Sequence, residues 1–209
     1  MTTVAGRLIQ AASALALAAA LAACEADARD DLIHFDQGWT QEVRTKFYHY
    51  PQGSRFMPRP WFVALEQLEG GGRFAEPDNL ARYGLLPAPA HPEWNPDALP
   101  VGFALEDADP RPGLGLTPDL AQRVDGLQQV GMTCAACHTA NVTVGGKPLR
   151  IDGAPAHFDF DSFYADLNRA VTATLLDDQR FARFAGRVLG DQAGERGAQL
   201  KQAFARFQV

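Results

Sequence analysis

The sequence is poor in cysteine, with three among its 209 residues. Cys24 stands alone near the N-terminus, whereas Cys134 and Cys137 stand together far downstream. Without a fourth cysteine, the chain gives no sign of the disulfide framework that supports small secreted domains. Its fold must therefore depend on a hydrophobic core, for which a chain of this length is sufficient.

Basic residues are also scarce. The chain has 19 Lys and Arg against 25 Asp and Glu, for a formal net charge of -6. An acidic chain offers no broad positive surface to neutralise phosphates. We therefore expect no nucleic-acid partner.

Only one long apolar run is present, from Ala11 to Ala23, and it follows the single positive charge of Arg7. The run is too short to span a bilayer comfortably, but its length and flanks are typical of a secretory signal peptide. We therefore interpret residues 1–23 as an export signal and residues 24–38 as a charged linker.

The export signal ends in Leu21-Ala22-Ala23-Cys24, which resembles a bacterial lipobox. In such signals cleavage precedes the cysteine, and its thiol is lipidated. The alternative is ordinary cleavage near Ala22 or Ala23, which leaves Cys24 as a free thiol. A lipid on Cys24 predicts a periplasm-facing protein anchored to a bacterial membrane without spanning it. Since Glu25 rather than aspartate follows Cys24, the outer membrane is slightly favoured.

Residues Cys134-Ala135-Ala136-Cys137-His138 have the Cys-x-x-Cys-His spacing of a haem c attachment motif. One turn of chain brings the two thiols to the two haem vinyl groups, and the adjoining His138 becomes the proximal iron ligand. A thioredoxin-like redox pair would need a βαβ context, which is not visible. A zinc site would need a second ligand pair, which His157 alone does not complete. Export agrees with haem c, because bacteria attach this haem outside the cytoplasm.

The second axial position of the iron is open to three interpretations. The methionines are Met1, Met57 and Met132, so none follows His138. His157 is the only later histidine, and it is one candidate ligand. A residue of the N-terminal half is another, and the candidates there are His49, Met57 and His91. The third interpretation is an open site that binds O₂ or peroxide.

The rest of the sequence predicts helices and irregular chain. Apolar residues recur at helical spacing over 163–171, 181–188 and 200–207. Thr117-Pro118 predicts a helix start, limited by Gly126 and Gly131. Twelve of the 14 prolines lie between Pro51 and Pro118, so residues 70–116 should be mostly irregular. Gly145-Gly146 predicts a small β-hairpin between residues 141–144 and 147–151.

Several segments resemble the N-terminal part of rubber oxygenase-like dihaem c-type cytochromes, which are related to bacterial dihaem cytochrome c peroxidases. These segments are 47–49, 52–54, 60–66, 95–103, 133–139 and 149–153. The resemblance implies a mainly helical, loop-rich haem domain in which His138 is the proximal ligand. Family members carry a second Cys-x-x-Cys-His in a C-terminal domain, which this sequence lacks. The resemblance therefore implies the N-terminal haem domain of a larger dihaem protein.

Together these features predict a mainly α fold. We expect a cytochrome c-like haem domain over residues 39–209, with a long loop-rich N-terminal extension and a small β-hairpin. The expected function is electron transfer through one covalent haem c to a redox partner that the sequence does not identify. The alternatives are a haem-dependent peroxidase or oxygenase with an open distal site, or a gas or redox sensor.

Two further groups of residues have both a functional and a structural interpretation. Arg55, Arg59 and Arg150 could bind the haem propionates through charge-assisted hydrogen bonds, or they could pair with Asp or Glu. Trp61 and Phe62 could line a substrate or electron path, or they could belong to the core.

Overall fold

The computed structural model describes residues 32–107 and 128–206. The predicted signal peptide, Cys24 and the helix predicted from Thr117 lie outside these residues. The described chain falls into two compact units. One contains residues 32–36 and 141–151, and the other contains the described residues of 37–140 and 152–206.

The smaller unit contains a three-stranded sheet of order β1-β6-β5. Its strands are β1 (Ile33–His34), β5 (Thr139–Val144) and β6 (Lys147–Asp152). Strands β5 and β6 form the predicted hairpin, since Gly145 and Gly146 both have positive φ, as the tightest hairpin turn requires. Strand β1 pairs in parallel with β6, with Ile33 opposite Leu149. Part of the predicted linker is therefore a strand.

Helices supply most of the larger unit. They are α1 (Gln41–His49), α2 (Arg59–Ala64), α3 (Pro77–Ala81), α4 (Phe160–Leu176), α5 (Asp178–Leu189) and α6 (Ala193–Arg206). The three C-terminal helices confirm the helices predicted from the apolar spacing. Their apolar faces pack with Trp61 and Phe62 of α2 in one large core. Among the described residues, no helix combines the length and apolar character needed to cross a bilayer.

A second three-stranded sheet lies in the larger unit, with order β2-β4-β3 and antiparallel pairing. Its strands are β2 (Met57–Pro58), β3 (Phe103–Glu106) and β4 (Gln129–Met132). Gly131, expected to limit a helix, is instead a β4 residue. A Cβ there would overlap the carbonyl of Ser54, so only glycine permits this close backbone approach.

The prediction of a mainly α, cytochrome c-like fold is therefore wrong. The described residues form a mixed α and β structure with six α-helices and two small sheets. The strands of the second sheet have two to four residues and come from distant parts of the chain. Strand β4 buries three consecutive residues rather than alternate ones. Such strands lack the alternation of polar and apolar residues that reveals a strand in a sequence.

Candidate functional site

The five residues of the motif form a tight turn between β4 and β5. Thr133 is extended, and its hydroxyl oxygen accepts a hydrogen bond from the N–H of Ala135 at 3.2 Å, which begins a 3₁₀ turn over Cys134–Ala136. The Cys134 carbonyl then accepts from the N–H groups of Cys137 at 3.2 Å and His138 at 2.9 Å. In a 3₁₀ turn, side chains three residues apart eclipse one another. Cys134 and Cys137 are therefore on the same side of the turn.

The turn separates its side chains sharply by exposure. Cys134, Cys137 and His138 are exposed. Ala135 and Ala136 between them are buried, at 1% and 5% exposure. Ala135 packs in a small apolar cluster with Tyr48 and Val101. The two alanines therefore anchor the turn, and the groups that could bond a ligand remain accessible.

Hydrogen bonds hold the N-terminal side of the turn. The Thr133 N–H donates to the Gly102 carbonyl at 2.8 Å, and the Thr133 hydroxyl donates to the Phe47 carbonyl at 3.1 Å. The Cys134 N–H donates to the side-chain oxygen of Gln52 at 3.0 Å. Gly102, with φ +88°, comes so close that a Cβ would overlap the backbone of Ala136. The turn therefore lies directly on the backbone of Gly102.

The C-terminal side is held by the segment that follows β6. The Cys137 carbonyl accepts from the N–H of Ala156 at 3.0 Å, and the His138 carbonyl accepts from the N–H of Gly153 at 2.7 Å. The Thr139 hydroxyl also donates to the His138 carbonyl at 2.9 Å. Backbone groups of the turn are thus bonded on both sides within the protein. The two thiols and the imidazole are the groups that it presents outward.

Asp152, the last residue of β6, is a buried carboxylate at 2% exposure. One of its oxygens accepts from Arg44 Nε at 2.9 Å, and the other accepts from the Tyr48 hydroxyl at 2.5 Å. Its backbone carbonyl accepts from the amide of Gln37 at 2.8 Å. Buried charges are stable only when paired and hydrogen-bonded in this way. Asp152 therefore joins helix α1 to the end of β6, directly before Gly153.

Two of the candidate axial ligands are held away from solvent. Met57 is fully buried in the large core, as the core interpretation of this residue requires. His49 is 6% exposed; its Nδ1 donates to the Phe103 carbonyl at 2.9 Å, and its ring stacks on Trp94 with centroids 4.7 Å apart. Burial lowers the pKa of His49, so its ring is neutral at pH 7.

The other two histidine candidates lie in loops. His91 stacks on Trp94 with centroids 4.3 Å apart, and its Nδ1 accepts from the N–H of Glu93 at 3.3 Å. His157 is exposed and follows Ala156, whose N–H bonds the Cys137 carbonyl. Of the histidine candidates, His157 is therefore the exposed one, and its backbone adjoins a residue bonded to the turn.

The arginines considered for haem propionates are engaged elsewhere in the protein. Arg55 forms two bonds of 2.6 Å to Glu106, and Arg59 bonds Asp97 at 2.6 and 3.1 Å. Arg150 is buried, and its Nε donates to the side chain of Asn141 at 2.9 Å. Arg55 and Arg59 are therefore paired with carboxylates, as the structural interpretation of these two arginines expects.

Trp61 and Phe62 also fit the structural interpretation, in which they belong to the core. Both are fully buried in the large core, where Trp61 meets Phe204 with ring centroids 5.3 Å apart. They are therefore packing residues rather than the lining of a solvent-accessible path.

Within residues 32–107 and 128–206, no group of three or more His, Cys, Asp or Glu side chains could hold a metal ion. A structural zinc site needs four such ligands and a catalytic one needs three. A haem iron makes no such demand, because the porphyrin supplies four nitrogens and the motif supplies a single imidazole. The finding therefore leaves the haem interpretation unchanged.

The residues that support the turn could not be derived from the Cys-x-x-Cys-His spacing. From four parts of the sequence come Tyr48, Gly102, Thr133 and Gly153, which contact the turn, and Asp152, which bonds Tyr48. A signal for them was nevertheless present. All five lie inside the segments that carry the family resemblance, although they were not singled out there.

Comparison with known proteins finds sequence similarity to a relative but no matching family. No protein-family model matches the chain, and no solved structure matches it. The chain is 35% identical over 175 residues to the uncharacterized protein y4iJ of Sinorhizobium fredii (strain NBRC 101917 / NGR234). The alignment covers 80% of this chain and 28% of the relative, so the chain spans less than a third of that protein's length. Since the relative is itself uncharacterized, this similarity brings no function with it.

Proposed function

We propose that this protein binds one haem c through thioether bonds at Cys134 and Cys137, with His138 on the iron, and that it transfers single electrons. One observation carries the proposal. The two thiols and the imidazole are exposed, while the alanines between the cysteines are buried. The turn therefore presents the atoms that the attachment chemistry requires.

The residues present fit the group. Cys134 and Cys137 provide two accessible sulfurs on one side of the turn, and the small buried alanines place no bulk beside them. The His138 backbone is fixed by its own N–H and by its carbonyl, so its imidazole starts from a defined position. When bound, the haem supplies a one-electron iron couple. The chain's part is to anchor it and to hold the imidazole.

Attachment is tested by exporting the protein in a bacterial host that makes c-type cytochromes and measuring its intact mass. We expect an increase of one haem, and a pyridine haemochrome spectrum typical of two thioether bonds. Cys134→Ala and Cys137→Ala should each lose one bond, whereas Cys24→Ser should keep both. An exported wild-type protein without the added mass would contradict the proposal.

A second candidate function is activation of O₂ or peroxide at an open iron site. It is favoured by the burial of Met57 and His49, two residues that could otherwise have occupied the second axial position. CO binding to the reduced protein separates the candidates. Rapid binding by the wild type supports the open site. Binding only after His157→Ala instead supports a second histidine ligand and electron transfer.

We also propose that the protein is lipid-anchored and faces the periplasm. The support is the run of residues 11–23 ending in Cys24, together with the need of haem c attachment for export. Intact-mass analysis of the N-terminus should show cleavage before Cys24 and a lipid on it. Cys24→Ser should release the protein from the membrane fraction.

The resemblance to rubber oxygenase-like dihaem cytochromes supports the same assignment. Rubber is not proposed as a substrate, since nothing in the described residues selects it.

A further inference from the structure

We infer that Tyr48 and Asp152 form a latch that positions both ends of the haem-attachment turn relative to each other. We call these two residues, with Arg44, the Tyr48 latch. This inference rests on the proposed function, because it assigns a positioning role to residues that do not themselves touch the haem. The structural relationship on which it depends is that one tyrosine bonds Thr133, which begins the turn, and Asp152, which precedes the residue bonded to His138.

The backbone of Tyr48 holds the N-terminal side. Its carbonyl accepts from the N–H of Gly102 at 3.2 Å, and at 3.3 Å it shares the proton of the Thr133 hydroxyl with the Phe47 carbonyl. Thr133 in turn begins the turn by accepting from the Ala135 N–H. The Tyr48 side chain packs with Ala135 in the same apolar cluster. Tyr48 therefore helps to position the start of the turn, at Cys134.

The hydroxyl of Tyr48 holds the C-terminal side. It donates to Asp152 at 2.5 Å, and Arg44 Nε, from the preceding turn of α1, donates to the other carboxylate oxygen at 2.9 Å. Asp152 is followed by Gly153, whose N–H donates to the His138 carbonyl at 2.7 Å. The position of His138 is thus linked through two residues to the same tyrosine.

This arrangement has a mechanical consequence. The thiol of Cys134 and the imidazole of His138 lie at opposite ends of the turn, and the Tyr48 latch ties both ends to one helix. Bonds from a hydroxyl to a buried carboxylate are among the stronger hydrogen bonds in proteins. Without this hydroxyl, Asp152 keeps its hydrogen bond from Arg44 but loses its hydrogen bond from Tyr48, the residue whose carbonyl bonds Thr133. The link between the two ends through helix α1 is then lost, and the bonds from the N–H groups of Cys137 and His138 to the Cys134 carbonyl alone hold them together.

Tyr48→Phe removes the hydroxyl and nothing else. Tyr83→Phe is the matched control, because Tyr83 is also nearly buried and donates to a carboxylate, Asp166, at 3.0 Å. Each variant loses one tyrosine–carboxylate bond, but Tyr83 has no bond to the turn among the described residues. The two variants should therefore lose similar stability and differ in their effect on the motif.

The first measurement uses the full chain made without haem, in a host that lacks c-type cytochrome maturation. The alkylation rates of Cys134 and Cys137 are followed separately by peptide mass spectrometry under native conditions. In Tyr48→Phe we expect the ratio of the two rates to change by about fivefold, as for loss of one buried hydrogen bond. Tyr83→Phe should keep the wild-type ratio.

The second measurement uses the haem-loaded protein and records its reduction potential and ferric spectrum. Tyr48→Phe should shift both, and Tyr83→Phe should shift neither. Asp152→Asn, which keeps one oxygen to accept from the hydroxyl but replaces the oxygen that accepts from Arg44 by an NH₂ donor, should give an intermediate change. This variant replaces Tyr48→Phe if the latter does not fold.

The outcomes separate the two claims. Haem on the wild type with unchanged thiol ratios in Tyr48→Phe, or equal changes in Tyr83→Phe, would overturn the latch alone. A changed ratio in Tyr48→Phe on a wild type that never acquires haem would overturn the proposed function. The latch would then stand as a device that positions the two thiols.

Discussion

The backbone of Gly102 lies against that of Ala136, so closely that a Cβ at position 102 would overlap the amide nitrogen and Cα of Ala136. Gly102 also has φ +88°, which L-residues with a side chain rarely adopt. Two independent requirements for glycine therefore coincide at the point where β3 meets the Cys-x-x-Cys-His turn.

Gly102→Ala should be strongly destabilising. The unfavourable φ costs about 1–2 kcal/mol, and the steric overlap with backbone adds about 1–3 kcal/mol. We expect a fall in the urea midpoint and a reduced yield of attached haem. Gly70→Ala is the control, since Gly70 has φ +79° but open space where a Cβ would lie. Equal losses in the two variants would mean that the close approach to Ala136 is unimportant.

Glu66 is the centre of the main buried ion cluster of the described chain. It is 4% exposed, and its oxygens accept from Arg183 at 2.8 Å twice and from Arg187 at 2.9 Å. The Arg183 hydrogen bonds lower the pKa of Glu66 most, burial opposes them, and Arg187 adds to the lowering, which brings the pKa to about 2. The cluster joins the segment after α2 to α5.

This depressed pKa predicts acid lability. The ionised carboxylate stabilises the fold above its unfolded pKa near 4.5, and that contribution is lost as the pH falls toward 2. Glu66→Gln should remove about 2–3 kcal/mol at pH 7, and the difference from wild type should shrink between pH 5 and about pH 2. Urea unfolding across this range measures it. Glu42→Gln, at an exposed helix pair with Lys46, should change little; a constant deficit in Glu66→Gln would contradict the assignment.

Met57 should have no part in iron ligation, because it is fully buried and pairs through β2 with Val130 of β4. Met57→Leu preserves volume and should cost less than about 1.5 kcal/mol. We expect the ferric and ferrous spectra of the haem-loaded variant to match those of the wild type. A change in spin state on this substitution would show that the sulfur reaches the iron.

Asp177 ends α4 and begins α5 without an intervening loop. Its carboxylate accepts from the N–H groups of Gln179 at 2.8 Å and Arg180 at 3.0 Å. Asp177→Ala should therefore cost about 1 kcal/mol of helix capping. Thr40→Ala, which removes a single 3.3 Å capping bond from α1, should cost less in the same thermal unfolding experiment. The reverse order would argue against capping as the cause.

Long periodic segments were predictable from the sequence. The spacing of Phe163, Leu167 and Val171 predicts α4 because burial on one helix face imposes that spacing. The hairpin was predictable because two adjacent glycines specify a turn with two positive φ values.

The second sheet was not predictable in the same way. Met57, Phe103 and Val130 become neighbours only when three distant segments pair, and none of the segments is long enough to show alternation. The prediction that a helix ends at Gly131 failed for the same reason, because Gly131 lies in β4. A glycine in a sequence can mark the end of a helix or a close backbone contact, and only the fold shows which.

At the candidate site, the sequence indicated the three side chains that we propose bond the haem, but not what holds them. The chemistry of Cys134, Cys137 and His138 is local and follows from residue type and spacing. Their support is not local, since Tyr48 and Asp152 are about a hundred positions apart and act through one hydrogen bond.

The burial of Ala135 and Ala136 limits how the motif may vary. In a pattern written Cys-x-x-Cys-His, the two middle positions are usually treated as free. Here they have almost no solvent contact, so a library randomised at these positions should retain few residues larger than alanine or serine. A sequence pattern for this protein and its closest variants should therefore specify small residues at the two middle positions, with volume as strict a criterion there as reactivity is at the cysteines.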